Sequence, residues 1–193
     1  MKIFVNLLSI SRIAAAFALV PLLLEQYFDW AFVVFVLAAI SDWADGFLAR
    51  RFRVVTKIGG VLDHMGDKFL VVNALIMMIM FLQIWSVLVP SVLMICRELY
   101  VSGLREFMGT QKIEMPVPKD RFAIGKMKTF VQMAALAAML LWVWAVNADW
   151  QSEILNYYLL FVGIGGLWLA LICSLASAAR YTVQFAGNMK KIK

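Results

Sequence analysis

Apolar residues gather into long blocks, separated by short segments that carry most of the charge and the paired prolines. Each block is close to the ~20 residues that a helix needs to cross a bilayer. The blocks predict six helices, at 10–27, 30–50, 59–84, 87–108, 122–146 and 154–181. Residues 109–120, with Pro116 and Pro118, form the one stretch where a helix must stop for several residues. No internal repeat or low-complexity stretch interrupts the series. Gly163 and Gly166 read as a close helix contact.

The connections alternate in charge. Glu25 and Asp29 flank the first, the third has none, and Asp149 and Glu153 mark the fifth. Arg51, Arg53 and Lys57 lie in the second, Lys112, Lys119 and Arg121 in the fourth, and Lys190, Lys191 and Lys193 in the tail. By the positive-inside rule both termini and the basic connections face the cytoplasm, with Trp30, Trp85 and Trp150 at the opposite interface.

Composition agrees with a membrane protein and narrows it. The 193 residues are 64% hydrophobic and 16% charged, against roughly 45–50% and ~25% in soluble domains. Six spans exhaust the apolar content, so a single all-α integral membrane domain over 1–193 is expected. A net charge of +6 suits an anionic membrane surface or substrate. Stretches that would stack on nucleic-acid bases are absent. Cys96 and Cys173 are far apart, which supports neither a disulfide framework nor a zinc site. The start of the chain superficially resembles a signal peptide, but Arg12 interrupts the apolar core that such a peptide needs. The segment is expected to remain in the mature protein.

Four carboxylates stand out against this background. Asp42 and Asp45 lie toward the cytoplasmic end of the second helix, and Asp63 and Asp67 in the first turns of the third. Each costs roughly 2.5–3.5 kcal/mol on insertion scales unless it finds positive charge or water. At about 100° per residue, Asp42 and Asp45 share one helix face, as do Gly59, Asp63 and Asp67. Two adjacent antiparallel helices would bring the pairs together. Carboxylates without thiols or a ligating histidine suit hard cations, Mg²⁺ or Mn²⁺. A pair of such ions neutralises a diphosphate and stabilises both oxygens of a displacement. Gly46 and Gly59 would allow close approach, and Arg50 and Thr56 would bond a phosphate or nucleotide edge. The plainer reading pairs the acids with Arg50, Arg51 or Arg53, and four acids at these spacings are too many for it.

The run Asp42-x-x-Asp45-Gly46-x-x-Ala49-Arg50, eight residues, then Gly59-x-x-x-Asp63-x-x-x-Asp67 resembles the full signature of the CDP-alcohol phosphotransferase family, with every fixed position filled. The resemblance implies that family's six-helix membrane fold, usually a homodimer, in which an alcohol attacks the diphosphate of a CDP-linked substrate and CMP is released. It implies that Asp42, Asp45, Asp63 and Asp67 hold two divalent ions, with Asp67 also the general base. Asn6-Leu7-Leu8-Ser9-Ile10-Ser11-Arg12 is similar to the family's N-terminal segment that contacts the CDP-lipid, with Ser9 in place of the usual Thr. Asn6, Ser9, Gly46, Ala49, Arg50, Thr56 and Gly59 are thus the candidate contacts to CDP-diacylglycerol.

Segments 97–98, 102–106 and 125–129 are similar to those of bacterial phosphatidylglycerophosphate synthases, a branch of that family. The branch implies phosphatidyl transfer from CDP-diacylglycerol to glycerol 3-phosphate in a bacterial inner (cytoplasmic) membrane, with the site facing the cytoplasm. His64 departs from the proline common there without touching the acids. Arg97 and Arg105 on the fourth helix, with Lys126 and Lys128 on the fifth, are candidates for the acceptor phosphate; Arg97 and Arg105 would otherwise offset the acids or pair with Glu98 and Glu106. His64 has little claim to a catalytic role in carboxylate chemistry, and Arg180 reads as a snorkelling anchor.

Rivals within the family are phosphatidylinositol phosphate, phosphatidylserine and cardiolipin synthases, which share the acids and differ in acceptor pocket. A divalent-cation transporter would be expected to place acids along a path through the bilayer, yet the periplasmic half of helices two to five has none. An intramembrane prenyltransferase would want another acid near Ala49.

Overall fold

The computed structural model describes residues 2–52, 57–110, 121–150 and 152–189, with side chains described for 7–42, 59–62, 64–110, 127–150 and 152–187. The described residues form six helices and no strand: α1 (Lys2–Leu24), α2 (Phe28–Phe52), α3 (Lys57–Leu82), α4 (Trp85–Thr110), α5 (Arg121–Asn147) and α6 (Glu153–Met189). A helix satisfies its own backbone donors and acceptors, which is what a hydrocarbon environment demands. Five contain a stretch long and apolar enough to cross a membrane: Leu7–Leu24, Gly59–Leu82, Trp85–Thr110, Met127–Asn147 and Glu153–Gly187. The described side chains of α2 stop at Asp42, and α2 is not among the five.

The helices overrun several expected ends. α1 begins at Lys2 instead of residue 10, α2 runs on to Phe52, α4 to Thr110 and α6 to Met189. Hydropathy marks where a helix leaves the bilayer, and backbone hydrogen bonding continues past that point into polar residues. Gly109 and Thr110 therefore close α4 instead of opening a loop, and residues 111–120 lie outside the described residues.

Three short connections carry residues in the left-handed region: Gln26 (φ 64°), Gln83 (φ 49°) and Asp149 (φ 54°). Each follows a helix C-terminus, where such a residue turns the chain while freed carbonyls find partners. After α1, Gln26 N–H donates to Leu23 O (3.1 Å) and Tyr27 N–H to Leu22 O (2.8 Å). After α5, Trp150 N–H donates to Ala145 O (3.0 Å). Aromatic side chains close this end of the bundle, with Phe28 edge-on to Phe81 and Trp144 against both Phe32 and Trp150.

The core runs through Leu19, Leu23, Phe35, Leu70, Met78, Leu136 and Met139, all fully buried. α5 and α6 make the most extensive contact. Gly163 and Gly166 explain its closeness: an added Cβ would lie 2.4 Å from Met139 Cγ at the first and 2.9 Å from Ala135 Cβ at the second. α1 packs along both α2 and α3, whose described residues touch each other sparingly. The described residues of α2 and α3 are in contact, as two adjacent helices require, and the stretch around Asp45 and Asp63 where their acids would meet lies outside the described side chains. α1 is the element that joins them, and Asn73 Nδ2 on α3 donates to Ala16 O on α1 (2.7 Å).

Candidate active site

α1 carries one charge into that interface. The Arg12 side chain is 0% exposed, and its Nη1 lies 3.0 Å from Asp42 Oδ1 on α2 and 2.9 Å from Asp67 Oδ1 on α3. A buried guanidinium is tolerable only beside opposite charge, because the attraction must offset the lost hydration. The two carboxylates are about a quarter exposed, so the pair is accessible from outside the helix interface although Arg12 is not. Ser9, one turn before Arg12, is buried in the same interface. A Cβ at Gly66 would lie 3.5 Å from each of Arg12 Cδ, Ile13 Cγ1 and Ser9 O, which places this part of α3 in van der Waals contact with the stem of Arg12.

Asp67 and Lys68 are consecutive, and on a helix consecutive side chains diverge by about 100°. Asp67 accordingly meets α1, while Lys68 meets α4 and donates from Nζ to Ser102 Oγ. Ser102 Oγ in turn donates to Glu98 O (2.8 Å). Around Glu98 a second cluster assembles. Glu98 Oε1 accepts from Arg97 Nη1 (2.7 Å) and from Lys128 Nζ on α5. Arg97 Nε donates to Ser174 O on α6 (3.0 Å), which fixes the guanidinium between helices. Arg105 donates from Nη2 to Tyr181 OH (2.8 Å), its Cζ lying 5.1 Å from the Tyr181 ring centre. Lys68 lies within electrostatic reach of Glu98, Arg97 and Arg105. Two cations, Arg97 and Lys128, thus pair with Glu98, and Lys68 and Arg105 add positive charge nearby.

The described side chains thus form two clusters of opposite sign, an acidic cup (Asp42 and Asp67 around Arg12) and a cationic cup (Arg97, Lys128 and Lys68 around Glu98, with Arg105 beyond), and α3 contributes Asp67 to the first and Lys68 to the second. The acidic cup collects hard oxygen donors around a single point of positive charge, a donor set that fits Mg²⁺ or Mn²⁺. The cationic cup presents two guanidinium forks and two ammonium groups, the donors that bind a phosphate dianion.

Of the residues expected from the sequence, Asp42 and Asp67 meet at Arg12, and Arg97 and Lys128 meet at Glu98. Arg105 faces α6 about two turns further along α4. Ser9 and Gly59 are buried. Thr56 lies outside the described residues, as do the side chains of Asn6, Asp45, Gly46, Ala49, Arg50, Asp63 and Lys126. Among the described residues, no three acids, histidines or cysteines converge on one point. His64 and Arg180 are exposed.

Three participants escaped the sequence reading: Arg12 as the partner of the acids, Lys68, and Tyr181. The signal for Arg12 was present, since a lone arginine inside an apolar helix demands a partner as strongly as Arg97 does. Tyr181 gave no such signal.

Comparison with known proteins bears on this geometry. The family model described as CDP-alcohol phosphatidyltransferase matches residues 2–176. A protein of Salmonella choleraesuis named CDP-diacylglycerol--glycerol-3-phosphate 3-phosphatidyltransferase is 34% identical over 178 residues, covering 89% of this chain and 90% of its own. A protein of the same name from Pectobacterium atrosepticum is 34% identical over 183 residues, 91% of each chain. Another from Yersinia enterocolitica is 38% identical over 130 residues, 67% of this chain and 68% of its own.

Proposed function

The chain belongs to the CDP-alcohol phosphatidyltransferase family, and from that premise we propose that it transfers the phosphatidyl group of CDP-diacylglycerol to glycerol 3-phosphate, giving phosphatidylglycerophosphate and CMP. The observation that carries the choice of acceptor is the cationic cup around Glu98, set beside the acidic cup through the consecutive pair Asp67 and Lys68. An acceptor with a phosphate at one end and a hydroxyl at the other spans such a pair. An uncharged acceptor has no use for four cations.

In the acidic cup, Asp42, Asp45, Asp63 and Asp67 would hold two divalent ions. When bound, such ions neutralise the diphosphate and stabilise charge on the attacking and leaving oxygens. Asp67 takes the proton from the acceptor hydroxyl, whose oxygen bonds to the phosphorus bearing diacylglycerol while the bond from that phosphorus to CMP breaks. Arg97, Arg105, Lys68 and Lys128, with Lys126, hold the phosphate of glycerol 3-phosphate and aim its free hydroxyl at Asp67. Asn6, Ser9, Gly46, Ala49, Arg50, Thr56 and Gly59 are the residues that would bind CDP-diacylglycerol.

The membrane placement follows from the same reading. The chain is a single domain whose sixth crossing is α2, in a bacterial inner membrane, with both termini and the active site on the cytoplasmic side. Trp30 and Trp85, exposed near the starts of α2 and α4, and Trp150 in the turn before α6 support an interface at the opposite end. A homodimer is the expected assembly.

The test is CMP release by purified protein in detergent, given CDP-diacylglycerol and Mg²⁺ with glycerol 3-phosphate, inositol phosphate, serine or phosphatidylglycerol. Release with glycerol 3-phosphate alone is expected. Release with another acceptor and not with glycerol 3-phosphate would overturn the assignment.

A further inference from the structure

Arg12 places one nitrogen at 3.0 and 2.9 Å from carboxylate oxygens of two different helices. That is the position of a shared cation. A divalent ion bound by the same oxygens would sit at roughly 2.0–2.1 Å from them if it were Mg²⁺, so ion and guanidinium cannot both occupy the space between Asp42 and Asp67. Arginine does not resolve the conflict by losing its proton, since it stays charged in proteins. It has to move.

We infer that Arg12 is a positioning residue that serves as a built-in substitute cation: it holds Asp42 and Asp67 together while the acidic cup is without metal, and is displaced from them when divalent ions enter. This rests on the metal reading of the proposed function and adds to it a competitor supplied by the chain itself.

Several observations favour this over a purely structural ion pair. Burial of the Arg12 side chain is complete while both its partners are partly exposed, so an ion from solution can reach the carboxylates although it cannot reach the arginine stem. The stem is set against Gly66, where a Cβ would lie 3.5 Å from Cδ, and it runs beside Ile13 and Ser9 of its own helix. A guanidinium at the end of a packed stem needs only to turn at its outer bonds to release one or both oxygens. The arrangement also has a use. Without Arg12, carboxylates from α2 and α3 would face each other within an apolar bundle, and like charges at that distance repel. The cup would spread before any ion arrived. With Arg12, the oxygens are held within reach of one another, and α1 is pinned to both α2 and α3.

The inference makes a prediction opposite in sign to that of a merely structural role. Damage to the site weakens metal binding, whereas removal of a competitor strengthens it. Mn²⁺ binding to purified full-length protein without substrate, read by the electron paramagnetic resonance of free ion, should be tighter by about tenfold in Arg12→Gln than in the unaltered protein (~1.4 kcal/mol). Arg12→Lys, which keeps a charge there, should bind Mn²⁺ much as the unaltered protein does. In EDTA, Arg12→Gln should unfold at lower temperature than the unaltered protein and regain more of its melting temperature on addition of Mn²⁺. Equal or weaker Mn²⁺ binding by Arg12→Gln would overturn the inference while leaving the metal reading in place. If neither protein binds Mn²⁺, the metal reading falls and the inference with it. Should Arg12→Gln fail to fold at all, the double variant Arg12→Gln, Asp42→Asn is expected to fold in EDTA, because it removes an acid together with its cation. Failure of that double variant to recover would overturn the inference.

Discussion

The two ends of the bundle are built on different principles. At the end closed by the turns at Gln26, Gln83 and Asp149, no ion pair forms among the described side chains, and the contacts include rings on rings and backbone hydrogen bonds. Toward the other end, Arg12, Asp42, Lys68, Asp67, Arg97, Glu98 and Lys128 gather between helices that elsewhere meet through Leu, Met and Ala. Apolar packing is insensitive to which side chain provides the area, as long as shape is kept. Buried charges are not: removing one partner leaves the other in a medium that cannot hydrate it. The turn end therefore supplies rigidity, and the charged end spends part of that stability on chemistry.

This division predicts where substitutions act. The largest effect belongs to the acidic cup. Asp67→Asn should lose turnover by about 10²- to 10⁴-fold, the range for a general acid or base, and EDTA should abolish turnover with Mg²⁺ or Mn²⁺ restoring it. CDP-diacylglycerol binding should fall less in Asp67→Asn than in Asp42→Asn, since a base acts on the chemical step. Full activity in chelator would remove the metals from the account. A smaller effect, on stability, is expected between α5 and α6. Gly166→Val places new atoms against Ala135, which has no flexible end to yield, and should destabilise by about 1–3 kcal/mol, read as a lower melting temperature in detergent. Turnover per folded molecule should be nearly unchanged. The smallest effect is at the turns, where Gln83→Gly should stabilise by roughly 0.5–1 kcal/mol, because glycine adopts positive φ without steric cost. A destabilised Gln83→Gly would mean that the glutamine side chain holds this turn.

Much of the fold could be read from the sequence, because a bilayer makes block length diagnostic. The six helices and the close approach at Gly163 and Gly166 follow from where apolar residues run and where they stop, whereas the turns after Leu24 and Leu82 fall within stretches the apolar pattern reads as helix. Helix ends were harder to place, since hydropathy reports the edge of the membrane and not the end of hydrogen bonding. α6 runs to Met189 for that reason. Within the site, spacing placed Asp42 on a face with Asp45, and Asp67 on a face with Gly59 and Asp63. It could not say what lies between those faces. Arg12 and Asp67 are 55 positions apart, and nothing local to either names the other. Lys68 was hidden for a different reason: its neighbour Asp67 drew attention to the acid face, while helical geometry turns Lys68 toward α4.

The central claim is that the two cups divide the substrates, with metal and CDP-lipid in the acidic one and the acceptor phosphate in the cationic one. The most direct test is the pair of Michaelis constants in Arg105→Lys, measured from initial rates of CMP release with each substrate varied in turn. This change keeps the positive charge and removes the bidentate fork. The account predicts a KM for glycerol 3-phosphate raised by about tenfold, the cost of one good charge-assisted hydrogen bond, with the KM for CDP-diacylglycerol nearly unchanged. Equal rises in both constants, or a rise confined to CDP-diacylglycerol, would contradict it.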